Sequence, residues 1–141
     1  MVLNLRKARV IIKGTLAKGV DAGLKPLSVI VLDAGGHVLA FERSDGASVG
    51  RFEVARGKAY GCVMLGLGGS AIQARGEAQA VFVDAMNGAF DGRFVPVKGG
   101  VLVRDAKGLL LGAVGVTGDT SDNDTIAAMA GIEAAGLTAE G

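Results

Sequence analysis

The sequence predicts an α+β domain built on a five-stranded antiparallel sheet, and three observations carry that prediction. Short β-branched runs come in pairs separated by glycine-bearing turns, the pattern that hairpins leave in a sequence. Helical periodicities stand before, between and after those pairs rather than alternating with single strands, which argues against a parallel doubly wound sheet. Half of the 141 residues are apolar and 21% are charged, a balance that supports one packed core and no disordered chain.

Each element has its local reason. Residues 4–22 read as an amphipathic helix, with Leu5, Ala8, Ile12, Leu16 and Val20 at helical spacing. Asn4 is placed to cap it, and Gly23 followed by Pro26 stops it. Residues 27–33 and 37–43 form a hairpin around Ala34-Gly35-Gly36. Phe52, Ala55, Ala59 and Cys62 space a second helix over residues 51–65. Ser70-x-x-Gln73 fits a capping box that opens a third, running to about Met86 and weakened by Gly76. Residues 94–98 read as a short edge strand because of Pro96. Residues 101–104 and 109–116 are two further strands about a turn at 105–108, and Ser121-x-x-Asp124 is a second capping box, opening a helix to about Ala135. The order is α-β-β-α-α-β-β-β-α over a single domain, residues 1–141, without evident repeat or linker.

Composition excludes several functions. Glycine numbers 24 of 141, more than twice the usual ~7%, yet it has no three-residue period and only two prolines accompany it, so a collagen-like chain is excluded. The net charge is +1 and the aromatics are five Phe and one Tyr, against a nucleic-acid partner. One cysteine, Cys62, allows neither an internal disulfide nor a multi-cysteine zinc site and suits a reducing compartment. No signal-peptide core is present, and the longest apolar stretches fall short of the ~20 residues that cross a bilayer. A cytoplasmic protein with no membrane partner and no bound metal among its own side chains is the expectation.

Four groups of residues could carry chemistry. Residues 66–71 (GLGGSA) match a dinucleotide fingerprint only in letters, because a helix and not a strand precedes them. Asp119, Ser121 and Asn123 mimic the start of a calcium loop, but Asp124 and Ala130 occupy its glycine and glutamate positions; that segment is a helix start, able to cap itself or to take an anionic ligand. His37, the one histidine, can serve as an axial ligand to haem iron or simply sit exposed on its turn. Arg43 and Asp45, with Arg51, Glu53, Arg56 and Lys58, could line a carboxylate pocket or a solvated surface. Cys62 sits in an apolar setting that makes it inert.

Three stretches taken together, residues 29–46 (VIVLDAGGHVLAFERSDG), 94–100 (FVPVKGG) and 111–124 (LGAVGVTGDTSDND), resemble the GlcG/HbpS family, which also supplies the C-terminal domain of PduO corrinoid proteins. The resemblance covers nearly the whole chain. It implies a profilin-like fold, a haem or corrinoid cofactor and homo-oligomers, octamers among them. The family's motif positions fall on Asp33, Gly35, Gly36, Arg43, Asp45, Gly46, Lys58, Gly99, Gly100, Gly115, Gly118 and Asp124. This chain departs from it at residues 118–125 (GDTSDNDT), where many relatives read GGTGEQDE, and lacks the Glu-x-x-Glu iron motif around Glu53.

Two functions follow as expectations. The first is a binding protein for a tetrapyrrole or related small molecule, contacted by Arg43, Gly99, Gly100, Gly115, Thr117 and Gly118, with His37 as axial ligand. The second is a small catabolic enzyme acting on an organic acid or enol. There Lys58 or Asp124 would be the acid–base group, Arg43 the carboxylate clamp, and the amides of Gly99, Gly100 and Gly118 the oxyanion donors.

Overall fold

The computed structural model describes residues 2–141. Its elements are α1 (Leu5–Asp21), β1 (Ser28–Asp33), β2 (Val38–Arg43), α2 (Arg51–Leu65), α3 (Gly69–Ala78), α4 (Ala80–Ala89), β3 (Gly100–Arg104), β4 (Leu110–Thr117), α5 (Ser121–Ala134) and β5 (Thr138–Glu140). The strands form one antiparallel sheet in the order β2-β1-β4-β3-β5, so the α+β class read from the sequence holds.

Alternation along the central strands sorts the core into two layers. Val29 and Val31 of β1, Val101 and Val103 of β3, and Val114 and Val116 of β4 face α1 and α5. Ile30, Leu32, Leu102 and Ala113 face α2 and α3. Both faces of the central strands are therefore apolar, which explains their unbroken hydrophobic runs. Full burial of side chains such as Ile11, Ile30 and Leu102 contributes about 1.5–3 kcal/mol each before entropy is counted.

Local signals explain most boundaries. Lys7 N–H donates to Asn4 Oδ1 at 2.9 Å, the expected cap of α1. Gly23 takes φ +68 just beyond that helix. The two hairpin turns are built alike. In the first, Asp33 Oδ1 accepts from the amides of Gly35 and His37, both at 2.9 Å. In the second, Asp105 Oδ1 accepts from Lys107 and Leu109, again at 2.9 Å. Each turn has a glycine at positive φ three positions after its aspartate, Gly36 at +83 and Gly108 at +85. Each also adjoins a register shift, between Val31 and Leu32 in one and between Val103 and Arg104 in the other. An aspartate that captures two loop amides and a glycine that tolerates the left-handed conformation suffice to close both.

Four expected details differ. Residues 94–98 are irregular and join no strand: Val95 N–H donates to the Gly57 carbonyl, Val97 N–H to the Val95 carbonyl, Lys98 N–H to Gln73 Oε1, and Pro96 has none to give. The fifth strand is β5 instead, paired with β3 from Leu102↔Glu140 to Arg104↔Thr138. Ser70 does not cap α3; Gly68 holds that position without a side-chain bond, and Gln73 is engaged by Lys98. The helix expected to reach Met86 breaks at Gln79 into α3 and α4. The cap of α5 is Thr120, whose Oγ1 accepts from Asn123 N–H at 3.2 Å, because Asp124 is committed elsewhere.

Candidate functional site

The sheet presents chemistry at its two opposite ends. At one end, Ser28 pairs with both Arg43 and Thr117, so these three side chains share the face covered by α2. Lys58 descends from α2 beside this end and meets Asp124 of α5, which lies against the other face. Lys58 Nζ donates to Asp124 Oδ2 at 3.1 Å and to the Val116 carbonyl at 3.0 Å. The other carboxylate oxygen of Asp124 accepts from Asp119 N–H at 3.0 Å. The two side chains are 4% and 1% exposed, a sealed pair joining the layers across the sheet end. Burial pushes the Lys58 ammonium down and the Asp124 carboxyl up, and each partner's charge opposes the other's shift.

The glycines here make that pair possible. A β-carbon on Gly99, at φ +116, would fall 2.6 Å from Lys58 Nζ. One on Gly100 would fall 2.5 Å from the Lys58 carbonyl and 2.6 Å from Cys62 Sγ. Gly115 gives way to the Ala55 carbonyl, and Gly118, at φ +141, to the Pro26 carbonyl. The space above Gly100 and Gly115 is thus filled by α2 rather than open to a ligand. Cys62, beneath it, has its thiol pushed up to about 12 by burial, in keeping with an unreactive role.

The arginine that reaches Thr117 is Arg51, not Arg43. Its Nη1 donates to Thr117 Oγ1 at 2.7 Å and its Nε to Ser48 Oγ at 2.8 Å. Arg43 is exposed at the end of edge strand β2, and among the described residues its side chain has no hydrogen-bond or ion-pair partner. Next to them Asp119 gathers three donors, from Asn123 Nδ2 and the amides of Thr120 and Lys25. Those bonds, the Asn123 one foremost, hold its carboxyl at about 2.

At the opposite end the two hairpin turns lie side by side, since Asp33 pairs with Gly112 near the start of β4. Between them is a groove of about 450 Å³ walled by Val2, Leu3, Ala34, Leu109, Leu110 and Leu111, with Asp33, Gly35 and His37 at its edge. The His37 ring is 81% exposed, and its Nδ1 stands 3.2 Å from Asp33 Oδ1. Gly35 leaves room for the ring: a β-carbon there would come within 2.9 Å of His37 Cε1. Despite the cost of partial burial, the amides of His37 and Gly35 hold the Asp33 carboxyl below its usual value, which keeps it an acceptor. A carboxylate standing beside Nδ1 is the kind of neighbour that orients metal-binding histidines. The groove leucines went unnoticed in the sequence. The signal for them was the likeness of residues 33–37 (DAGGH) to residues 105–109 (DAKGL).

Comparison with known proteins places the fold in a family. The fold matches the PduOC:haem complex with a TM-score of 0.87 at 19% identity, covering all of both chains. It matches HbpS at 0.82 and 27% identity, over 94% of this chain and 89% of the other. The Klebsiella pneumoniae protein ORFY matches at 0.84 and 23% identity, over 95% and 90%. No curated protein sequence matches this chain significantly. The model of the HbpS-like haem degrading proteins matches residues 3–133, and on that extent the chain belongs to this family.

Proposed function

We propose that this protein binds haem or a related tetrapyrrole at the groove between its two hairpin turns, with His37 as axial ligand. The observation that carries the reading is the free imidazole edge beside an apolar groove, braced by Asp33 and laid over Gly35. The leucine walls suit an apolar macrocycle, and a volume of about 450 Å³ lies within the range of small-molecule sites. Family membership supports it, and a structural neighbour is a haem complex. When bound, the cofactor would supply a redox-active iron; the chain's own part is to hold and orient the imidazole and to exclude water from one face of the ring.

The groove is open along one side, and a homo-oligomer in which a second copy covers the ligand completes this reading. Arg43, Thr117 and Gly118 stand at the far end of the sheet, so as ligand contacts they belong to a different molecule or to the covering copy.

The acid–base alternative has less support. Lys58 and Asp124 are bonded to each other and enclosed, and Arg43 makes no hydrogen bond or ion pair to either. A general acid or base needs hydrogen-bond reach to a substrate. We infer instead that the pair is a structural tie.

Haemin titration tests the proposal. The wild-type protein gives a saturable Soret shift, and His37→Ala weakens binding at least about tenfold, the scale on which metal sites respond to lost ligand support. Equal affinity of wild type and His37→Ala would remove the axial role.

A further inference from the structure

A second and wider groove lies on the α2 side, away from the hairpin turns, with a volume of about 590 Å³. The break at Gln79 turns α4 back from α3, and the groove runs between this elbow, residues 96–98 and the start of α5. Its floor is apolar: Ala80, Val83, Pro96 and Val97. A chain of hydrogen bonds stiffens one wall. Asp122 Oδ1 accepts from Lys98 Nζ at 2.9 Å, Lys98 N–H donates to Gln73 Oε1 at 3.0 Å, and Gln73 Nε2 donates to Glu77 Oε1 at 3.1 Å.

That chain engages Lys98 and Gln73 and leaves carboxylate acceptors in the groove. Lys98, the one cation lining the groove, is spent on Asp122. The second oxygen of Glu77 and the whole carboxylate of Asp84 are without partners among the described residues. Arg75, the nearby cation of α3, is turned onto the Phe82 ring, 3.9 Å from its centroid, and bonded to Gln79. Three carboxylates and one lysine over an apolar floor disfavour an anion. No group of three or more acidic, histidine or cysteine side chains among the described residues is arranged to hold a metal ion either.

We propose that this groove is a ligand site for an organic cation, an ammonium or guanidinium group carried on an apolar body. The charged head is held by Glu77 and Asp84, and the body lies on Val83, Pro96 and Val97. Helix α4 buries none of its residues, so this wall can adjust to the length of the ligand. The site is independent of the haem reading, and no residue is shared between the two grooves.

Amide chemical shifts under titration with hexylamine, hexanol and hexanoate test it, since the three probes differ only in the head group. Hexylammonium should move the Val83, Val97 and Asp122 amides saturably, with a dissociation constant on the order of 1–10 mM for so small a ligand. Hexanol should bind more weakly, and hexanoate should give no saturable shift. The double variant Glu77→Gln, Asp84→Asn should lose about tenfold in hexylammonium affinity. Both positions are exposed, so its thermal unfolding should match wild type, and the Soret titration of the other groove should be unchanged. Hexanoate binding as well as hexylammonium, an unaltered affinity in the double variant, or no shift at all would each overturn the assignment.

Discussion

The two ends of the sheet solve opposite problems. At the Lys58 end, charge is taken out of water and answered inside the protein: an ammonium, a carboxylate, a carbonyl and an amide bond to one another behind glycines that admit them. At the His37 end, an ionisable ring is kept in water and only half answered, one nitrogen braced and the other free. A closed network rigidifies and does nothing further, whereas a half-open one is available to a ligand. A buried ion pair bonded to itself therefore marks structure here, and an exposed ring beside a carboxylate marks the candidate site.

The largest effect should come from opening the closed end. Asp124→Ala leaves a buried ammonium without its partner and should destabilise by about 3–5 kcal/mol, read from chemical denaturation. Lys58→Met combined with Asp124→Leu should recover most of that loss, because a desolvated pair and well-packed apolar atoms are of similar worth. If the double variant is as unstable as the single one, the pair does more than satisfy itself.

The turns sharpen the other half of the contrast. Asp33→Ala and Asp105→Ala each remove an acceptor of two turn amides and should each cost about 1 kcal/mol. Only Asp33→Ala should also weaken haemin binding, by about 10–100-fold, because only that turn carries an imidazole to orient. Equal effects of the two variants on binding would mean that Asp33 serves the backbone alone. His37→Leu should leave stability within about 0.5 kcal/mol, as suits an exposed ring.

The smallest effect concerns acid. The Asp119 carboxyl is held at about 2, below its ordinary 3.8, so the folded state binds this proton less readily than the unfolded chain. Its stabilising contribution is complete above the ordinary value and is lost as pH falls from about 4 towards 2. Melting temperatures across that interval should fall less steeply in Asp119→Asn than in wild type.

What the sequence made legible follows from the range of the forces involved. The cap by Asn4, the stop at Gly23 and both hairpin turns depend on residues within four or five positions, and they could be read directly. Strand β5 has only three residues, too few to show a period. Thr120 and Ser121 are both competent caps, and the choice between them depends on Asp124 being drawn to Lys58, 66 positions away. The family resemblance pointed to Lys58 and Asp124 individually, but their contact is a tertiary fact. Gly99, Gly100 and Gly115 stand as ligand contacts in the sequence, which shows an absent side chain without showing what fills its place.

The twin turns have one more consequence. Their hydrogen bonds run through an aspartate side chain and main-chain atoms, so the side chain in fifth place is chemically unassigned by the loop that holds it. Histidine stands there in one copy and leucine in the other. The pair thus behaves as two identical sockets facing a common cleft, into which different functional groups can be fitted without re-laying the backbone. Leu109→His would install a second imidazole on the opposite wall and convert a one-sided cleft into a two-sided clamp.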